Sequence, residues 1–248
     1  MKKFTADFET ATWLENETWV WAWAVCEIGN ENNIVIDNNI DSFMDFCKNS
    51  KNSTFYFHNL KFDCEFIIFW LLKHGFIHVT NKEDIESGTF TTLISEFGQF
   101  YQTTVYFYKD RKHTKKVTFI DSYKIIPFSV EDISKSFNLP ISKLEIDYTK
   151  PREIGYKLTE EEKNYISNDV KIVALALNTI FNEGLTRMTE GSNALYDFKR
   201  IVTNNKFEHW FPELDYDTDK DIRQAYKGRF YLSKPDLQRK RITKYYCA

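Results

Sequence analysis

Near its amino terminus the chain runs Phe4-Thr5-Ala6-Asp7-Phe8-Glu9-Thr10. This stretch alternates with period two, with Phe4, Ala6 and Phe8 on one side and Thr5, Asp7 and Glu9 on the other. A strand sends residues i and i+2 to the same face, so the segment is a strand with one greasy face and two adjacent carboxylates on the other. Each carboxylate raises the cost of ionising its neighbour, and a cation between them removes that cost. A half-buried strand with a wet polar face has the same pattern, because Asp-x-Glu alone is common. The choice turns on whether further carboxylates arrive at compatible places.

The 248 residues are enough for one large domain, or one domain with an appendage, and for a sizeable core. Hydrophobic and charged contents of 42% and 28% are those of an ordinary globular chain. Aromatic content of 17% is high and concentrates in runs such as Trp19-Val20-Trp21-Ala22-Trp23, which gives a thick aromatic core with rings to spare for stacking on bases. A net charge of -3 excludes wholesale coating by nucleic acid, so any such contact is local. The tail from Arg223 onward, with Lys227, Arg229, Lys234, Arg239, Lys240, Arg241 and Lys244, reads either as a basic contact surface or as a solvated charged face. Cys26, Cys47, Cys64 and Cys247 form no CxxC pair, and no secretory leader opens the chain, so they read as free thiols in a reducing compartment. No apolar run reaches membrane-spanning length. The expectation is a soluble, cytoplasmic protein with no membrane partner.

Outward from the first strand, Glu15 to Thr18 reads as a polar turn, followed by strands at Trp19–Cys26 and Asn33–Asp37 in an antiparallel meander. Phe43, Met44 and Cys47 give Ile40–Lys48 the spacing of an amphipathic helix. Phe55-Tyr56-Phe57 is a short buried strand leading through His58 into a helix that His74-Gly75 closes. Residues 88–121 read as strands with turns at Gly98 and around Asp110. Thr159-Glu160-Glu161-Glu162 is a capping box opening a helix to about Asn182, and another helix spans Ser192 to Val202. Tyr216 to Asp219 reads as a polar loop. Strands first and helices afterwards around a mixed sheet give an α/β or α+β class.

Further acids now join the opening pair. Asp63 stands near a strand-to-helix junction, where turns present functional side chains, although a helix N-cap is the plainer role. Tyr165 and Asp169 are four apart and share one helix face beside a stripe of Ile166, Val170 and Val173.

The order Asp-x-Glu, Asn-x-x-x-Asp, Tyr-x-x-x-Asp resembles the three motifs of the 3′–5′ exonucleases with four metal-binding carboxylates and a tyrosine (the DEDD type, tyrosine subclass). Asp7-Phe8-Glu9-Thr10, Tyr56-Phe57-His58-Asn59-Leu60-Lys61-Phe62-Asp63 and Tyr165-Ile166-Ser167-Asn168-Asp169 look like the proofreading domain of protein-primed family B DNA polymerases of small phages and linear plasmids. Asp121-Ser122, Lys143 with Ile146-Asp147-Tyr148, and Gly184-Leu185-Thr186-Arg187-Met188-Thr189 are similar to the same group. The resemblance implies a ribonuclease H-like α/β fold, a mixed sheet flanked by helices, with a basic C-terminal extension. It implies an exonuclease domain over residues 1–185, and a linker with the start of a polymerase-side region over 186–248.

The resemblance also implies two Mg²⁺ or Mn²⁺ ions held by Asp7, Glu9, Asp63 and Asp169. That agrees with the preference of these hard ions for carboxylate oxygen. Tyr165 would orient the attacking water and Lys143 would contact the scissile phosphate. Thr10, His58, Asn59, Phe62, Ser122, Tyr123 and Tyr148 would hold the 3′ end of single-stranded DNA, Phe62 by offering its ring to a terminal base. Phe62 reads equally as core packing and Lys143 as an ordinary surface lysine. Tyr123 stands where the family has an aliphatic residue.

The family's palm motifs are missing from these residues, and in Tyr226-Lys227-Gly228-Arg229-Phe230 an arginine replaces the second glycine of a Tyr-x-Gly-Gly linker. Glycine permits a close backbone approach that arginine does not, while the added charge favours a phosphate. Two function classes follow. One is a metal-dependent exonuclease, the proofreading part of a polymerase, with a separate polymerase subunit or terminal protein as partner. The other is a non-catalytic DNA-binding or partner module.

Overall fold

The structure is a computed structural model that describes residues 2–13, 17–50 and 52–230, the side chains of 226–230 excepted. Most of the basic tail, Cys247 and half of the expected turn at Glu15–Thr18 therefore lie outside the described residues. The chain forms two compact units, residues 1–195 and residues 196–248.

The first unit is built on one eight-stranded mixed sheet. Its strands are β1 (Lys3–Thr10), β2 (Val20–Glu27), β3 (Asn30–Asp37), β4 (Thr54–Phe57), β5 (Ile77–His78), β6 (Thr89–Ile94), β7 (Phe100–Lys109) and β8 (Thr114–Asp121). They lie in the order β3-β2-β1-β4-β8-β7-β6-β5. The expected meander is present as antiparallel β1–β2–β3, its third strand starting three residues earlier than its alternation suggested. At the centre, β1, β4 and β8 run parallel.

Period-two alternation sorts the two faces. Phe4, Ala6 and Phe8 join Phe55, Phe57 and Phe119 in a core covered by α1 (Ile40–Asn49) and α2 (Leu60–Lys73). Phe43 of α1 packs edge-on to Phe8, Phe55 and Phe57 at 4.8–5.9 Å between ring centroids, the geometry that aromatic quadrupoles favour. The opposite face receives α3 (Val130–Ser136) and α4 (Glu160–Asn182). Ala22 and Ala24 of β2 have no exposed surface, and their small side chains let α4 settle Ile166, Val170 and Ala174 closely on the sheet. The Thr5 hydroxyl donates to the Val170 carbonyl at 2.7 Å, tying α4 to β1. Helices on both faces of a mixed sheet are the ribonuclease H-like α/β arrangement that the resemblance implied.

The capping box is realised. The Thr159 hydroxyl accepts from Glu162 N–H at 3.2 Å, and Glu162 accepts from Thr159 N–H at 2.9 Å. Asn59 is the N-cap residue of α2, with φ 76 and ψ 56, so Asp63 lies inside the first turn and is not the cap. Cys26, Cys47 and Cys64 are buried free thiols, and burial pushes those of Cys26 and Cys64 up to about 12. Among the described residues no helix is long and apolar enough to cross a membrane.

Helix α5 (Glu190–Val202) crosses from the first unit into the second, which also contains α6 (Asn204–Trp210) and α7 (Tyr216–Phe230). Phe198, Phe207 and Phe211 form its aromatic contact, with centroids 5.1–6.3 Å apart. Tyr216–Asp219 is the first turn of α7 and not a loop. Asp215 accepts from Thr218 N–H at 3.0 Å, and acidic residues in the first turn suit the helix dipole.

Replacing Thr159 by Ala should lower the unfolding free energy by about 1 kcal/mol. Urea melts of the two proteins check this, and equal midpoints would show that α4 does not depend on its cap.

Candidate active site

The carboxylates occupy a ledge created by register. β4 pairs with β1 only as far as Ala6 opposite Phe57, and Phe57 is also opposite Asp121 of β8. Beyond that row, Asp7 to Thr10 continue paired to β2 alone. On the other side the chain leaves β4 through His58 and Asn59 into α2. The crevice at the carboxyl ends of parallel strands is where open α/β sheets bind ligands.

Asp7 and Glu9 share the face of β1 that Thr5 turns toward α4, and α4 brings Tyr165 and Asp169 to the same face, one turn apart. Asp63 arrives from α2, 3% exposed, with a hydrogen bond from the Phe8 backbone. Desolvation and then the charge of Asp169 push the Asp7 carboxyl up to about 7, with Lys143 opposing. Burial and the neighbouring charges of Asp7 and Asp169 hold Glu9 well above the usual carboxylate range. Burial and Asp7 do the same to Asp63. Asp169 is also raised by burial, against the pull of Lys143. Thus all four acids are biased toward holding protons by low dielectric, and Asp7, Glu9 and Asp63 also by neighbouring carboxylates. Two of their buried oxygens, Asp63 Oδ1 and Asp169 Oδ1, have no hydrogen-bond partner. An orphaned buried acceptor is costly, and a cation satisfies it.

Lys143 stands 3.0 Å from Asp169 Oδ2. Burial lowers its pKa, but the carboxylate beside it outweighs this and leaves the ammonium charged. Its loop, between α3 and α4, is held by named bonds. Asn168 donates to the Ser142 carbonyl, Ser134 donates to the Ile141 carbonyl at 2.5 Å, and Thr12 donates to the Tyr148 carbonyl at 3.3 Å. The Tyr148 and Tyr165 hydroxyls are 2.5 Å apart. Burial and the Glu9 charge push the Tyr165 phenol up, so it remains a protonated donor. A cavity of about 160 Å³ is lined by Asp7, His58, Lys143 and Asp169 among others, while Glu9 and Asp63 lie outside its lining. The larger groove of about 510 Å³ around Val35 and Phe46 has no acid in its lining.

The remaining expected residues sit around this centre with different degrees of contact. His58 Nδ1 is 3.2 Å from Ser122 Oγ, its Nε2 is 2.7 Å from the Phe128 carbonyl, and burial lowers its pKa. The Tyr123 ring, 40% exposed, meets His58 edge-on at 5.4 Å. Phe62 is 49% exposed on α2, next in sequence to Asp63, so its ring is not core packing. Thr10 is buried at the end of β1, opposite Val20. Among the described residues, no group of three or more His, Cys, Asp or Glu side chains stands ready to hold a metal ion. The carboxylates share a region, with Lys143 on Asp169, and do not converge on one point.

Two residues with a part in the site carry no role in the motif reading. Arg152 is 2% exposed, donates to Glu162 at 2.8 Å, lies 4.4 Å from the Trp21 ring centre, and fixes the loop that bears Lys143 and Tyr148. Asp121 is 3% exposed and joins the end of β8 to the start of α2. The contacts that tie them to the site, Arg152 to Glu162 and Trp21 and Asp121 to Asn59 and Leu60, span elements and leave no local signal.

The raised acids give a signed prediction. A carboxyl whose folded pKa exceeds its unfolded value contributes stability below the unfolded value and loses it as pH rises through the folded one. For Asp7 that window runs from its ordinary value of 3.8 to about 7. Metal-free protein should therefore lose stability as pH rises through this window, and Asp7→Asn should flatten the slope. Denaturant midpoints at several pH values measure it, and parallel curves would contradict the electrostatic assignment.

The comparisons agree with this architecture. The family described as DNA polymerase type B, organellar and viral, matches residues 45–154 and 144–248. A DNA polymerase of Bacillus phage M2 is 44% identical over 230 residues, which are 92% of this chain and 39% of that protein. Phi29 DNA polymerase complexed with single-stranded DNA superposes with a TM-score of 0.83 at 39% identity, covering 90% of this chain and 39% of that one. The same polymerase complexed with primer-template DNA gives 0.82 at 40% identity, covering 91% and 39%. The chain thus spans well under half the length of these relatives. On the family match, these relatives and the shared fold, the chain belongs to the type B DNA polymerases of organelles and viruses.

Proposed function

We propose that the chain is a metal-dependent 3′–5′ exonuclease on single-stranded DNA ends, the proofreading part of a type B DNA polymerase. The observation that carries this reading is the set of four acids, Glu9, Asp63 and Asp169 buried and Asp7 half-buried, all with raised pKa and two of them with an orphaned oxygen. An all-oxygen donor set of this kind fits Mg²⁺ or Mn²⁺, with Asp7, Glu9, Asp63 and Asp169 as the residues that would hold two ions. When bound, such ions steady charge on the attacking and leaving oxygens of a phosphodiester.

The chain's own residues do the rest. Tyr165, kept protonated, orients the attacking water through its hydroxyl, and Tyr148 holds that hydroxyl in place. Lys143, charged beside Asp169, contacts the scissile phosphate. The half-exposed Phe62 ring stacks on the terminal base, and Thr10, His58, Asn59, Ser122 and Tyr123 hold the strand behind it. The exonuclease domain is assigned to residues 1–185 and the polymerase-side linker to 186–248. The partners are a DNA 3′ end and a polymerase subunit or terminal protein, in the cytoplasm of a phage or plasmid host. One observation favours the non-catalytic DNA-binding or partner module instead, namely that no three described acids are arranged to hold a metal ion.

Mg²⁺ or Mn²⁺ should support shortening of 5′-labelled single-stranded DNA from its 3′ end, and Asp7→Ala with Asp169→Ala should abolish it. DNA that is bound but left intact identifies the binding module, and unchanged degradation by the double variant removes the metal assignment. Tyr165→Phe should slow cleavage on the order of a hundredfold with metal affinity retained, since one oriented hydroxyl is lost. Single-turnover rates with parallel Mn²⁺ titrations measure this, and full activity would cancel the role.

A further inference from the structure

Asp121 is a buried acid outside the set of four, and its bonding is unusual. One oxygen, Oδ1, accepts three backbone N–H groups, from Asn59 at 3.1 Å, Leu60 at 3.3 Å and Tyr123 at 3.0 Å. The other, Oδ2, lies 3.8 Å from Lys124 Nζ, which also donates to Gln99 Oε1 at 2.6 Å. The first N–H groups of a helix lack intrahelical partners, and a capping side chain normally satisfies them. At α2 the residue in the cap position, Asn59, makes no side-chain capping bond and stands in the left-handed region at φ 76. The acceptor comes instead from a neighbouring strand, and a carboxylate there also suits the helix dipole.

The consequence is geometric. A capping Asn uses its side-chain oxygen on the first turn, whereas here Asp121 serves the first donors and leaves the Asn59 amide without that duty. The same oxygen fixes the turn at Ser122–Lys124 through Tyr123 N–H, and Ser122 in turn meets His58 at 3.2 Å. One carboxylate therefore sets two segments against each other, the start of α2 and the end of β8.

We propose that Asp121 is a positioning residue for single-stranded nucleic acid: it caps α2 from β8 and so presents the exposed Asn59 side-chain amide and Tyr123 ring to the strand. The choice of substrate class rests on the nuclease reading above.

The test measures binding and turnover separately in the full chain. Fluorescence anisotropy in EDTA gives Kd for a single-stranded oligonucleotide, and Mg²⁺-dependent cleavage gives KM and kcat. Asp121→Ala should weaken Kd and raise KM by about tenfold, in line with the cost of a misplaced contact, with kcat falling less. Asp121→Asn, which keeps an acceptor but no charge, should fall between it and wild type and guards against a misfolded alanine variant. Asn59→Ala combined with Asp121→Ala should be no worse than the poorer single variant, because Asp121 acts through Asn59.

Unchanged Kd and KM in Asp121→Ala, or fully additive losses in the double variant, overturn the proposal. So does a fall in kcat alone that tracks the loss of folded protein by thermal melting. Wild type that binds but does not cleave overturns the nuclease reading and leaves this role standing if the Kd shifts appear. Wild type that binds no single strand overturns both.

Discussion

Repulsion among buried carboxylates is the constraint on which the rest of the structure depends. Asp7, Glu9, Asp63 and Asp169 come from three separate elements into a region where burial favours protonation of all four and neighbouring carboxylates add to it for the first three. Left alone, such a cluster would push its elements apart. They stay because the opposite face of β1 is locked into an aromatic core, and because α4 is fixed by its capping box, by Val170 on Thr5 and by close packing on Ala22 and Ala24.

The same scaffold explains the place of the site. β1 outruns its parallel partner β4, so on that side its acid-bearing end meets a turn and a helix start, with β2 as its one strand partner. Two clamps then bring in what the sheet cannot supply. Arg152, paired with Glu162 and stacked on Trp21, holds the loop that delivers Lys143 and Tyr148. Asp121 holds the turn that delivers Asn59 and the first turn of α2. Both clamps are buried charges with several partners, the condition under which a buried charge is tolerated.

What could be read from the chain in advance was whatever has a short period. Alternation exposed β1 and its two-carboxylate face, and the i to i+4 spacing put Tyr165 and Asp169 on one side of a helix whose cap was visible as Thr159-x-x-Glu162. The two-residue β5, the seven-residue α3 and α6, and the first turn of α7 were not visible, because they are too short or too polar to carry a stripe. Contacts set by tertiary register were also hidden. Nothing near Asp121 announces that it caps a helix some sixty positions earlier, and nothing near Arg152 announces Trp21. The role of Asp63 needed the fold as well, since only the left-handed turn at Asn59 shows that Asp63 is free of capping. The motif resemblance identified the family, while the positioning shell came from the structure.

The central claim is that these four acids act as one cation-binding group, and calorimetric titration with Mn²⁺ in two buffers of different ionisation enthalpy tests it most directly. Carboxyls with raised pKa must give up protons to bind a metal, so the account predicts saturable binding at near-neutral pH with measurable proton release. Binding and proton release should both be lost in Asp7→Asn. Absence of saturable binding, or binding that is unchanged in Asp7→Asn, would contradict it.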